Sequence, residues 1–79
     1  MTYYAYVLRS LVDGRLYKGY TEDIKKRLEE HNLGKSKSTK GYLPWELVYL
    51  EKFETRKEAI EREKYFKTGI GREFIASKL

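Results

Sequence analysis

No cysteine occurs among the 79 residues, and histidine, proline, methionine and tryptophan occur once each. Without cysteine the chain has neither a disulfide framework nor a thiolate metal site. A single histidine, His31, excludes a multi-histidine zinc centre. Any metal would have to be a hard cation held by carboxylate and water. No run approaches the ~18–20 apolar residues of a membrane span, and the first residues are strand-like rather than signal-like. A cytoplasmic protein with no membrane partner is expected. Blocks of like charge, internal repeats and low-complexity segments are missing as well.

What remains is short, aromatic and basic. A chain of 79 residues reads as one domain, 1–79, with a thin core, because a small domain buries only about 60% of its unfolded surface. Eight tyrosines supply most of the 15% aromatic content, so the core should be tyrosine-rich, with hydroxyls that need partners. Seventeen Lys and Arg against twelve Asp and Glu give +5 and a pI near 9.4. That balance favours an anionic partner, nucleic acid first, although a basic surface kept for solubility would look the same.

The pattern of the chain is strand, strand, helix, strand, helix, helix. Residues 3–9 alternate, with Tyr4, Tyr6 and Leu8 on one face and Tyr3, Ala5 and Val7 on the other. Both faces are largely apolar, which predicts a central strand covered on two sides. Asp13-Gly14 signals a turn, and Arg15 to Gly19 returns as the second strand. Thr21 is the expected N-cap of a first helix, with Glu22 and Asp23 in its first turn and Ile24, Leu28 and His31 as its inward stripe. The helix is expected to run to about Asn32, with Gly34 as its stop. A polar loop, 34–44, carries Lys35, Lys37 and Lys40. Trp45 to Phe53 is the third strand, with Trp45, Leu47, Tyr49 and Phe53 expected on one side and Val48 and Leu50 on the other. Thr55 caps a second helix to about Thr68, and a short helix, Arg72 to about Lys78, closes the chain.

The second helix holds the most informative residue. Ala59, Ile60, Phe66 and Ile70 define its expected apolar stripe, and Glu63 falls on that stripe, whereas Glu58 and Glu61 point elsewhere. A carboxylate aimed inward is costly unless it is paired, hydrogen-bonded or metal-bound. A salt bridge to Arg27, a hydrogen bond to a tyrosine hydroxyl and a divalent ion all satisfy that requirement. Taken singly, Arg27 and His31 late in a helix, and Tyr6 and Tyr17 on the strands, read as structural. Taken together they are the parts of a one-metal phosphodiesterase. Glu63 would hold one Mg²⁺ or Mn²⁺ with waters completing the shell, and Arg27 would offer its donor fork to phosphate oxygens. A tyrosine and His31 would move the proton of the attacking water, and Lys35, Lys37 and Lys40 would track the backbone without reading sequence.

The order and spacing of these residues resemble the GIY-YIG nuclease domain. The first motif stands as Tyr4-Ala5-Tyr6 and the second as Tyr17-Lys18-Gly19, with the tyrosines eleven residues apart. LYKGYTEDIKKRLEEHN, the lysine-rich STK loop, PWELVY and EREKYFKTGIGREF are similar to the small stand-alone, excinuclease-subunit-C-like group of that superfamily. The similarity covers nearly the whole chain. It implies an α+β fold, β-β-α-β-α-α, in which a three-stranded antiparallel sheet is flanked by helices. It also implies a single divalent ion at Glu63, with Tyr6, Tyr17, Arg27 and His31 as catalytic residues. Tyr6 is favoured as general base, with Tyr17 as orienter or relay. Two departures stand out: the first motif lacks its usual glycine and isoleucine, and the asparagine that many members carry near the last helix has no counterpart, Asn32 being the only one.

The function expected is a Mg²⁺-dependent DNA endonuclease of low sequence specificity, with RNA left open as substrate and with dimerisation or a partner protein supplying the targeting. Two other readings compete. One is a nucleic-acid-binding module with weak or no catalysis on the same scaffold, and the other is an interaction protein with no nucleic-acid role.

Overall fold

A computed structural model describes all 79 residues. Three strands, β1 (Tyr3–Ser10), β2 (Leu16–Thr21) and β3 (Trp45–Phe53), form one antiparallel sheet in the order β2-β1-β3. Helix α1 (Ile24–Asn32) follows β2, and α2 (Arg56–Phe66) and α3 (Gly69–Lys78) follow β3. The α+β class and the β-β-α-β-α-α order are those expected. The doubly apolar strand β1 is the central one.

The alternation along β1 sorts the interior into two parts. Ala5 and Val7 point to one face, where they form an apolar cluster with Phe66 of α2 and Ile75 of α3. Tyr6 and Leu8 point to the other, where they pack with Trp45, Tyr17 and the Ile24 and Leu28 stripe of α1. No helix is long and apolar enough to cross a membrane.

Several local expectations need correction. Asp23, not Thr21, caps α1, its carboxylate accepting from the Lys26 amide at 3.1 Å. Thr21 is the last residue of β2, because pairing with Tyr4 continues the ladder past Gly19. Glu22 and Asp23 therefore precede the helix instead of filling its first turn. The even alternation expected along β3 is broken: Val7 faces Tyr49 while Leu8 faces Leu47, so Val48 is an extra residue in a bulge. One extra residue reverses the faces beyond it, so Trp45 packs beside Tyr6 while Val48, Tyr49 and Phe53 all join the Phe66 cluster.

Ile70 does not belong to the α2 stripe. It lies in the first turn of α3 and is 71% exposed. Helix α2 ends at Phe66, and α3 begins at Gly69, earlier than Arg72, with Thr68 as its N-cap. This tight corner depends on Gly71, where a Cβ would fall 1.8 Å from the Tyr65 carbonyl oxygen.

Candidate active site

Tyr6 is held by the sheet in an unusual way. Its cross-strand partner is Gly19, and a Cβ there would stand 2.6 Å from Tyr6 Oη and 2.7 Å from Cζ. The missing side chain lets the tyrosine ring lie across β2. Tyr17, opposite Leu8, places its ring 6.3 Å from that of Tyr6 and 4.9 Å from the imidazole of His31. Helix α1 brings Arg27 and His31 over the same face, one turn apart.

A chain of hydrogen bonds links these groups. Arg27 Nε donates to Tyr6 Oη at 3.4 Å, and Tyr6 Oη lies 3.1 Å from His31 Nε2. On the far side of the ring, His31 Nδ1 lies 2.8 Å from Thr39 Oγ1, whose hydroxyl reaches the Ser36 carbonyl at 3.4 Å. A carbonyl only accepts, so the Thr39 hydroxyl donates to it and offers a lone pair to His31 Nδ1–H. In that tautomer Nε2 is the bare nitrogen and the Tyr6 hydroxyl donates to it. Tyr6, His31 and Thr39 are 1%, 0% and 0% exposed, and no buried side-chain nitrogen or oxygen is left without a partner.

Burial sets the charge states. It pushes the Tyr6 phenol up to about 12, against a smaller opposing effect of the Arg27 hydrogen bond. It also lowers His31 to about 4, with the Arg27 charge adding to the effect. Near neutral pH both are uncharged. Tyr6 is therefore no ready-made tyrosinate, and the neutral His31 Nε2 is the protein group placed to take its proton.

The front of this network opens on a cleft of about 580 Å³. Tyr6 and Tyr17 line it from the sheet, Lys26 and Arg27 from α1, and Arg56 and Glu63 from α2. His31 does not line the cleft; it stands behind Tyr6. Nor do Lys35, Lys37 and Lys40, which are exposed on the loop beyond Nδ1 of His31. Arg27 Nη1 is 3.3 Å from Glu30, while Nη2 makes no hydrogen bond within the chain.

Glu63 is the inward carboxylate of α2, its side chain 15% exposed, whereas Glu58 and Glu61 are exposed residues. Its partner is neither Arg27 nor a tyrosine. Oε1 lies 2.8 Å from Nζ of Lys67, one turn on, and that lysine is 54% exposed. No three His, Asp or Glu residues gather closely enough to cage a metal. The donor set therefore fits only an ion that takes one protein carboxylate and keeps most of its waters, as Mg²⁺ and Mn²⁺ can. The cleft has room for them, and Oε2 is not engaged. An exposed lysine pair of this kind is worth only about 0–1 kcal/mol, so Lys67 is a weak competitor.

Four residues of the site carry no obvious mark in the sequence. Thr39 orients His31 from a loop that reads as surface. Lys26 and Arg56 face the cleft from helix starts where they look like solvated charges. Asn32 is a clamp: its amide donates to the Trp45 carbonyl at 3.0 Å and accepts from the Trp45 amide at 2.6 Å. That clamp joins the end of α1 to the start of β3, while Trp45 Nε1 donates to the Thr39 carbonyl at 2.9 Å. Asn32 thus holds the loop that holds Thr39, and it does not enter the cleft.

The description "GIY-YIG catalytic domain" matches residues 2–72. The chain belongs to the GIY-YIG family. Among curated relatives, a UPF0213 protein of Bacillus licheniformis is 52% identical over 67 residues, covering 84% of this chain and 68% of the relative. A UPF0213 protein of Streptococcus agalactiae is 49% identical over 65 residues, covering 81% and 73%. The solution NMR structure of a UPF0213 protein from Bacillus halodurans superposes with a TM-score of 0.59 at 35% identity, covering 98% of this chain and 84% of that one. In this GIY-YIG chain the second motif's glycine, Gly19, is the residue that admits the Tyr6 ring.

Proposed function

We propose that the chain is a Mg²⁺-dependent endonuclease that hydrolyses DNA phosphodiester bonds with one metal ion and low sequence specificity. The observation that carries this reading is the buried line Tyr6–His31–Thr39, whose only open end faces the same cleft as Glu63 and Arg27. A structural tyrosine needs one partner; this one is threaded between a cation and a neutral imidazole of fixed tautomer.

The chemistry follows from that arrangement. Tyr6 Oη takes the proton of a water in the cleft as its own proton passes to His31 Nε2, leaving imidazolium paired with Thr39. The oxygen of that water then forms its bond to phosphorus, and the bond to the leaving oxygen breaks. Arg27, through Nη2, would bind an equatorial phosphate oxygen and stabilise the charge developing there. A cation at Glu63 would supply further charge stabilisation and make the water easier to deprotonate. Tyr17, edge-on to His31, keeps that ring in place and closes the wall of the cleft.

One observation favours the second reading, a binding module with weak or no turnover: Lys67 already sits on Glu63. Nicking of supercoiled plasmid by the purified chain separates the two. The nuclease reading predicts nicks with Mg²⁺ or Mn²⁺, none with chelator, and a loss of at least ~100-fold in Glu63→Gln, in line with the loss of one charge-stabilising group. Metal-independent nicking, or DNA binding without nicking under either metal, would overturn it.

A further inference from the structure

Four carboxylates, Glu22, Asp23, Glu30 and Glu63, line the cleft that is to hold a phosphodiester. Each of them repels a polyanion, so each calls for a compensating role. Glu63 is the one that fits a cation. Asp23 caps α1 by accepting from the Lys26 amide at 3.1 Å. Glu22, just ahead of α1, pairs with Arg56 of α2 at 2.9 Å and ties the two helix starts together. Glu30 is left. Its side chain bonds Arg27 and nothing else in the chain, Oε1 accepting from Nη1 at 3.3 Å.

An i,i+3 pair of opposite charge often serves the helix that carries it. This one is built the wrong way round for that. Arg27 precedes Glu30, the less favourable order, and Glu30 lies in the last turn of α1, where the helix dipole opposes a carboxylate. The Glu30 charge thus works against phosphate binding and against its own helix.

What it favours is a single placement of Arg27. The guanidinium is planar and rigid, with Nε donating to Tyr6 Oη at 3.4 Å and Nη1 donating to Glu30. Two nitrogens held from two elements, β1 and α1, fix the direction of the third, Nη2. That third nitrogen is the one the proposed reaction gives to the phosphate. The pair is also partly sheltered, with side chains 33% and 30% exposed, so water and salt screen it less than a surface pair. We infer that Glu30 is a positioning residue that locks Arg27 with Nη2 toward the scissile phosphate, and that its charge weakens DNA binding.

The inference rests on the endonuclease reading for its phosphate, but the hold on Arg27 can be measured without DNA or metal. Glu30→Ala removes the acceptor, whereas Glu30→Gln keeps an acceptor of the same reach and drops the charge. The Arg27 Nε–H signal is followed by nitrogen-15 NMR in chelator, assigned by its loss in Arg27→Lys. Anisotropy of a short fluorescein-labelled duplex gives the affinity, and single-turnover nicking of supercoiled plasmid with saturating Mg²⁺ gives the rate. Positioning predicts one sharp Nε–H signal in the unaltered chain and in Glu30→Gln, and a signal lost to exchange in Glu30→Ala. Both variants should bind DNA several-fold more tightly. Nicking should slow by at least ~10-fold in Glu30→Ala, as expected when a group that aligns the substrate is misplaced, and Glu30→Gln should regain most of that rate. Melting temperatures should stay level or rise in both, whereas loss of a helix-stabilising pair would lower them. An unchanged Arg27 signal in Glu30→Ala, or equal slowing in the two variants, would overturn the inference. An Arg27 signal that depends on Glu30 in a chain that never nicks would sink the nuclease reading and leave the hold on Arg27 standing. Equal nicking by all three chains would do the reverse.

Discussion

The two faces of the sheet are built on different principles. Under α2 and α3, Ala5, Val7, Phe66 and Ile75 form a dry apolar cluster with aromatic rings at its rim. Under α1 the buried groups are Tyr6, His31, Thr39 and Trp45, and each polar atom there is satisfied by a specific hydrogen bond. Apolar burial is non-directional and tolerates small shifts, whereas a hydrogen-bonded interior fails when one partner is lost. The first face is therefore the more tolerant of small shifts, and the second is the one that gathers the candidate catalytic groups. Helix α1 brings Arg27 and His31 over that second face.

The largest effect should come from breaking the apolar face. Phe66→Ala removes a fully buried ring, for a cost of about 3–5 kcal/mol, a large part of the stability of a domain this small. Urea unfolding should show a midpoint lowered drastically or no cooperative transition. A folded variant with a near-normal midpoint would mean that the α1 face carries the stability instead.

Acid should attack the other face through His31. Folded His31 titrates at about 4, against an ordinary value of 6.5, so between those limits the unfolded chain binds more protons than the folded one. Stability is full above pH 6.5 and falls as pH drops toward 4, by up to about 3 kcal/mol from this residue. Midpoints measured across that window should slope steeply in the unaltered chain and more gently in His31→Gln. Equal slopes would place His31 outside the pH response.

Thr39→Val keeps shape but strips the acceptor from His31 Nδ1–H, costing about 1–3 kcal/mol. The sharper readout is the tautomer. Nitrogen-15 shifts of the imidazole should report a single tautomer with bare Nε2 in the unaltered chain and a mixture in Thr39→Val, with nicking reduced in parallel and Thr39→Ser restoring both. Reduced nicking with an unchanged tautomer would make Thr39 a packing residue only.

The sequence was most readable where a period governs burial. The doubly apolar alternation of 3–9 announced the central strand, and Glu63 stood out because it interrupts an apolar helical stripe. It was least readable where one residue changes the phase or where contact is remote. The bulge at Val48 inverts the far half of β3 without leaving a glycine or proline to mark it. Thr21 and Asp23 are both competent caps, and the choice between them was made by how far β2 pairs with β1. Ile70 fits the α2 period yet is exposed, because α2 ends at Phe66 and Ile70 already belongs to α3, capped by Thr68. Thr39 is eight residues from His31 in a polar loop, so only the folded loop reveals that they touch. The loop lysines are conspicuous as a run, yet none of them lines the cleft.

The central claim is that the buried line behind Tyr6 is a proton path and not merely a well-satisfied core. Tyr6→Phe tests it most directly, since it keeps the ring over Gly19 and deletes only the hydroxyl. Single-turnover nicking of supercoiled plasmid with saturating Mg²⁺ should fall by at least ~100-fold, as expected for losing a general base, while DNA affinity stays unchanged and the fold remains cooperative. Cleavage by Tyr6→Phe at close to the unaltered rate would contradict the account.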